Sequence, residues 1–210
     1  RLVSLAVAAF VAAPLAAQVG KHPSLVEPNV ATAAELGAVP GFTPAIVEAI
    51  VAGRPYLSQT SFDAALAKAG LTPEQRKAAY AKVFVHLDLN TASKDEILMI
   101  PGVGNKMLHE FEEYRPYRTL AQFRREIGKY VKPDELARLE GYVFVPMDVN
   151  SASDADLMTI PGLGRRMLGE FREYRPYDGM ARFDREIGKY VKPPELQRLR
   201  RYVVVVPKKS

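Results

Sequence analysis

Two short runs in this chain carry residue types suited to holding an anion through the backbone. They are Pro101-Gly102-Val103-Gly104, followed by Asn105 and Lys106, and Pro161-Gly162-Leu163-Gly164, followed by Arg165 and Arg166. Glycine lets the main chain approach a ligand closely, and N–H groups that open a helix meet a negative charge with a favourable dipole. A second set recurs as Arg54-Pro55-Tyr56, Arg115-Pro116-Tyr117 and Arg175-Pro176-Tyr177. Its Arg54, Tyr56, Arg115, Tyr117, Arg175 and Tyr177 are candidates for a repeated protein-docking surface, with inward packing of the tyrosines as the competing reading. Support for catalysis is thin. His22, His86 and His109 stand apart from any nucleophile or metal-ligand spacing, and the absence of Cys excludes thiolate metal sites, cysteine nucleophiles and disulfides. The expectation is a non-enzyme without a metal or organic cofactor.

These residues sit in an internal repeat. Asp88-Leu89-Asn90 returns as Asp148-Val149-Asn150, and Arg125 to Pro133 (REIGKYVKP) is repeated unchanged at Arg185 to Pro193. A more diverged copy lies upstream, through Asn29, Pro40-Gly41, Phe62 and Val83 to Val85. The divisions are 1–20 (an apolar leader), 21–87, 88–147 and 148–210. A fixed period of this kind marks stacked supersecondary units.

Within each copy the pattern is mainly helical. Thr32 with Glu35 and Ser93 with Glu96 form capping boxes, and Ser153 with Asp156 a weaker one. The short helix they open ends at the Pro of Pro-Gly. A second helix runs from Asn105 to Tyr114 and from Arg165 to Tyr174, a third carries Phe123 and Ile127, and a fourth starts with Pro133 at its first position. β-branched and aromatic runs, Val143 to Val145 and Val203 to Val206, close the copies as short strands. Phe111, Phe123, Phe171, Phe183, Tyr130 and Tyr190 are assigned to the core.

Charge and the N-terminus bound the setting. The net charge is +5, and residues 148–210 hold most of the surplus, 13 basic against 9 acidic groups. Glu110, Glu112 and Glu113 follow the second copy's glycine run and would repel phosphate, which leaves the third copy, with Arg165, Arg166 and Arg172, the better electrostatic fit to an anion. Leu2 to Ala17 has the layout of a secretory signal, but it is shorter than the roughly 20 residues that span a bilayer. It is expected to remain uncleaved and to hold a periplasmic protein at a membrane.

The segment from Asp88 to Gly104, and its counterpart from Asp148 to Gly164, resembles the helix-hairpin-helix modules of the ComEA-like competence DNA receptors. That resemblance implies a mainly α fold of three tandem helix-hairpin-helix modules with short β segments at module ends. It also implies a hairpin that binds phosphate without regard to sequence, which puts Gly102, Gly104, Asn105 and Lys106 at one candidate phosphate site and Gly162, Gly164, Arg165 and Arg166 at another; related hairpins can also hold a monovalent cation through backbone carbonyls. The first copy departs from the pattern: it reads Pro40-Gly41-Phe42-Thr43, without the second glycine. Val39 to Val51, Arg54 to Ser58 and Gly70 to Gln75 are similar instead to the extrinsic U-type subunit of photosystem II, a clamp on a membrane complex. The expectation drawn from both is a non-catalytic exported scaffold subunit whose partners are subunits of a membrane complex, plausibly a photosynthetic reaction centre, with membrane contact through the leader. The alternative is a periplasmic DNA-binding protein.

Overall fold

The computed structural model describes residues 18–206 and shows a mainly helical protein with a few two-residue strands. Twelve helices among these residues fall into three successive groups of four. The first holds α1 (Ala33–Gly37), α2 (Pro44–Ala52), α3 (Gln59–Lys68) and α4 (Pro73–Ala79). The second holds α5 (Lys94–Leu98), α6 (Asn105–Glu113), α7 (Leu120–Ile127) and α8 (Pro133–Glu140). The third holds α9 (Asp154–Leu157), α10 (Arg165–Glu173), α11 (Met180–Ile187) and α12 (Pro193–Arg200).

Local chemistry explains the helix starts. Thr32 and Ser93 accept from the N–H three residues on, and Glu35 and Glu96 reach back to the cap backbone, closing both boxes. Ser153 caps Asp156 without a return bond to the cap N–H. Thr43, Thr72 and Thr119 cap α2, α4 and α7, and prolines occupy the first turns of α2, α4, α8 and α12, where no N–H is needed.

Each group of helices is closed by a short parallel pairing of its beginning with its end. Val26 bridges Val83; β1 (Leu87–Asp88) pairs with β2 (Val143–Phe144); β3 (Met147–Asp148) pairs with β4 (Val203–Val204). The connection between them is a clamp. The Asn90 amide accepts from Tyr117 N–H at 2.6 Å and donates to Tyr117 C=O at 2.9 Å, and Asn29–Tyr56 and Asn150–Tyr177 repeat the pair. Peptide bonds Arg54–Pro55, Arg115–Pro116 and Arg175–Pro176 are cis at this corner. Beneath it, Tyr56 meets Phe62, and the edges of Phe111 and Phe171 meet Phe123 and Phe183 at 5.3 and 5.1 Å.

The ends of the groups join them to one another. Phe84 packs edge-on against Tyr142 at 5.0 Å, and Phe144, the residue sixty positions on, lies 4.6 Å from Tyr202. The N-terminal Gln18–Gly20 adds antiparallel to the second group's closing strand: Val145 N–H donates to Gln18 C=O at 2.9 Å and Gly20 N–H to Val143 C=O at 3.0 Å. A side chain at Gly20 would stand 1.7 Å from Glu140 C=O, so only glycine passes there.

Two expectations are corrected. Phe111, Phe123, Phe171 and Phe183 are buried, but Tyr130 and Tyr190 are exposed, at 41% and 37%. They sit on the turn before α8 and α12, where no helical period directs them inward, and their hydroxyls meet those of Tyr114 and Tyr174 at 2.8 and 2.7 Å. The second correction concerns location. No helix among the described residues is long and apolar enough to cross a membrane, which overturns the assignment of a periplasmic protein held at a membrane by an uncleaved apolar segment. That segment, Leu2 to Ala17, lies outside the described residues.

Candidate functional site

The turn between the first two helices of each group is built the same way. Ile100 N–H donates to Ile97 C=O, Gly102 adopts φ +82°, and Val103 N–H returns to Ile100 C=O. Gly162 and Gly41 take φ +75° and +86° in the corresponding turns, a region that a Cβ disfavours. Gly104 and Gly164 differ in kind. Their backbone is extended, and a side chain on either would meet nothing within 4 Å, so the fold does not demand glycine there. As caps they leave the first-turn amides of α6 and α10 without a side-chain partner. Gly104, Asn105, Lys106, Gly164, Arg165 and Arg166 are all exposed around those amides.

The first group has replaced this arrangement. Thr43 stands in the second glycine's place, and its hydroxyl accepts from Ile46 N–H at 3.4 Å. An amide left for an incoming anion in the other two groups is thus occupied from within. Beside it α1 and α2 bound an open groove of about 570 Å³, lined by Gly37, Phe42, Pro44, Val47, Glu48 and Val51 among others. Val51 is 41% exposed there, and Glu48 is the one charged residue in the lining.

The acidic residues beside the second turn differ in their surroundings, and one Glu110 carboxylate oxygen is buried without a partner among the described residues. Glu110 is buried, Glu112 lies 3.6 Å from Lys94, and Glu113 lies 3.6 Å from His109. In the third group Arg172 pairs with Asp154 at 3.0 Å, which leaves Arg165 and Arg166 at the turn.

Two arginines that the sequence reading missed hold the turns from behind. Arg138 donates to Pro101 C=O at 2.7 Å and pairs with Glu135; Arg198, 2% exposed, donates to Pro161 C=O at 2.5 Å and pairs with Glu195. Each of these turns therefore carries a guanidinium of the chain itself against the carbonyl of its proline. The sixty-residue spacing of Arg138 and Arg198 was the available signal. Among the described residues no group of three or more His, Cys, Asp or Glu side chains converges where a metal ion could sit.

The Arg-Pro-Tyr residues face inward. Tyr56, Tyr117 and Tyr177 are buried, with hydroxyls directed at backbone carbonyls, and Arg115 donates to Leu89 and Ala92 C=O at 2.6 and 2.8 Å. Arg54 does the same to Pro28 and Ala31, and Arg175 to Ala152. Burial raises the phenol pKa of all three tyrosines. Their geometry is that of a corner clamp, the competing reading for these positions.

The histidines are not equivalent. His86 is buried at the meeting point of all three groups, and Arg201 donates to its carbonyl at 2.6 Å. Burial, aided by the positive charge of Arg201, pulls its pKa down to about 4. Nearby Glu27 has its carboxyl pKa raised by burial, although Asn29 donates to both of its oxygens. His22 Nδ1 lies 2.8 Å from Ser24 Oγ, an exposed local pair to which no described carboxylate is hydrogen-bonded. The chain matches no family model, no curated protein and no solved structure.

Proposed function

We propose that this chain is a non-catalytic accessory protein of three tandem helix-hairpin-helix modules that docks on a larger protein complex and acts there as a scaffold. The observation that carries the reading is the first group's exchange of an open hairpin for a capped helix beside an apolar groove. Such a groove suits an amphipathic partner helix: its apolar side would meet Phe42, Val47 and Val51, and a basic residue would face Glu48. The aromatic joints Phe84–Tyr142 and Phe144–Tyr202 support a rigid body that can hold such a partner in a set direction. The similarity of this first copy to the U-type photosystem subunit makes a photosynthetic reaction centre the first host complex to test.

A second reading, sequence-independent DNA binding, is favoured by the bare amide ends of α6 and α10 beside Lys106, Arg165 and Arg166. One pair of experiments separates the two. A photo-crosslinking phenylalanine analogue is placed at Val51 in native cells, with Lys68 as an exposed control on the same group. Duplex binding of the purified chain is then titrated with salt. Docking predicts a discrete protein adduct at Val51 and none at Lys68, together with no steep salt-dependent DNA affinity. The proposal fails if Val51 gives no adduct while the duplex binds with a slope near −0.9 per phosphate contact that Arg165→Glu with Arg166→Glu abolishes.

A further inference from the structure

The closing strand of each group has an outer edge, and the three edges are finished differently. In the first group, the buried Gln59 side chain accepts from Val85 N–H at 2.9 Å. In the second, Gln18–Gly20 pairs with Val143 and Val145, and the Gln18 amide also accepts from Leu120 N–H at 3.2 Å. In the third, neither Val203 C=O nor Val205 N–H has a backbone or side-chain partner among the described residues.

The surroundings of the third edge are less covered than those of the second. Leu120 and Val145, covered by the N-terminal strand, are buried; their counterparts Met180 and Val205 are only half-buried. Phe144 is sealed against Tyr202, whereas Val204, at the corresponding position, is 39% exposed and Val206 beyond it 55%. The start of the neighbouring helix is open as well. Thr119 caps α7 with its hydroxyl, but α11 begins at Gly179, which offers no side-chain cap. An unpaired strand edge is a ready template for another strand.

We propose that the outer edge of β4 binds an extended segment of another protein, added antiparallel as Gln18–Gly20 adds to the second group. The inference rests on the scaffold reading only in taking the partner to be a protein; it names a second docking surface and the chemistry that fits it. The segment reads acidic–β-branched–Gly. An acidic or amide side chain at the first position accepts from Met180 N–H, as Gln18 does from Leu120, and acid is favoured by the basic surplus of residues 148–210. A β-branched residue takes the central place held by Val19. Glycine follows because the position corresponding to Gly20 faces Arg200 C=O, as Gly20 faces Glu140 C=O.

The test uses the full chain and a synthetic peptide, Ala-Ala-Glu-Val-Gly-Ser-His, with amide exchange and chemical shifts read by NMR. At millimolar peptide, Val205 N–H is expected to exchange at least about tenfold more slowly, since an exposed edge amide becomes a ladder donor. Replacing the peptide's Gly by Val should abolish the effect with the protein untouched, and Gln in place of Glu should weaken binding several-fold. Slowed exchange that survives the Gly-to-Val change, no protection of Val205 at all, or protection that tracks self-association of the chain would each overturn the proposal. Failure here leaves the Val51 crosslink unaffected, so the groove and the edge are judged separately.

Discussion

Replacing Phe144 by Ala should do more than destabilise the protein: it should divide it. Phe144 belongs to the second group's closing strand, yet it is fully buried beside Tyr202 of the third, with the Arg201 guanidinium 5.5 Å above its ring. Burying a Phe removes on the order of 200 Å² from water, worth about 5 kcal/mol as an upper figure at ~25 cal/mol per Å². Measured Phe→Ala losses in cores run about 3–5 kcal/mol, and part of the loss here is the aromatic and cation–π contact. A deficit of about 4 kcal/mol at one joint is comparable with the whole stability of a small domain. In urea, followed by tyrosine fluorescence and by far-ultraviolet circular dichroism, the wild-type chain is expected to unfold in one transition. Phe144→Ala should give two, with the third group melting first. Phe144→Leu keeps most of the apolar volume, should cost about 1–2 kcal/mol, and should keep the single transition. One unshifted transition for Phe144→Ala, or equal effects of Ala and Leu, would refute the claim that this ring couples the groups.

Two further outcomes follow from buried groups. His86 is held neutral, with a pKa of about 4 against about 6.5 when unfolded, so folding excludes a proton that the unfolded chain binds. Its contribution is complete above pH 6.5 and is lost as pH falls towards 4, at up to ~1.4 kcal/mol per pH unit; His86→Gln should flatten the stability profile across that window, and an unchanged slope would contradict the assignment. Arg198→Met leaves Pro161 C=O without its donor and should cost about 2–3 kcal/mol. It should also speed amide exchange at Leu163 before it changes exchange in α5, and uniform acceleration across the chain would argue against a local role.

Much of the secondary structure was legible because it is set within a few residues. The capping boxes at Thr32 and Ser93, the breaks at Pro40, Pro101 and Pro161, and the start at Pro133 each depend on chemistry three or four positions long. The Pro-Gly turns were readable for the same reason, but only the structure separates Gly102 and Gly162, which take a positive φ, from the extended Gly104 and Gly164. Tyr130 and Tyr190 were misread because they lie on a turn, where aromatic character alone gives no direction.

The sequence by itself determined the period, the local helix signals and the inequality of the three turns. It did not determine how the groups meet. The contacts that decide this join residues far apart in the chain: Arg201 with the His86 carbonyl, Val30 against Gly162, Gln18 with Val145. Repetition obscured them further, since Phe84, Phe144 and Val204 hold corresponding positions but meet different surroundings. Only the tertiary structure distinguishes the two closing ends that are covered from the one left open among the described residues, because burial of an edge depends on what the rest of the chain brings to it.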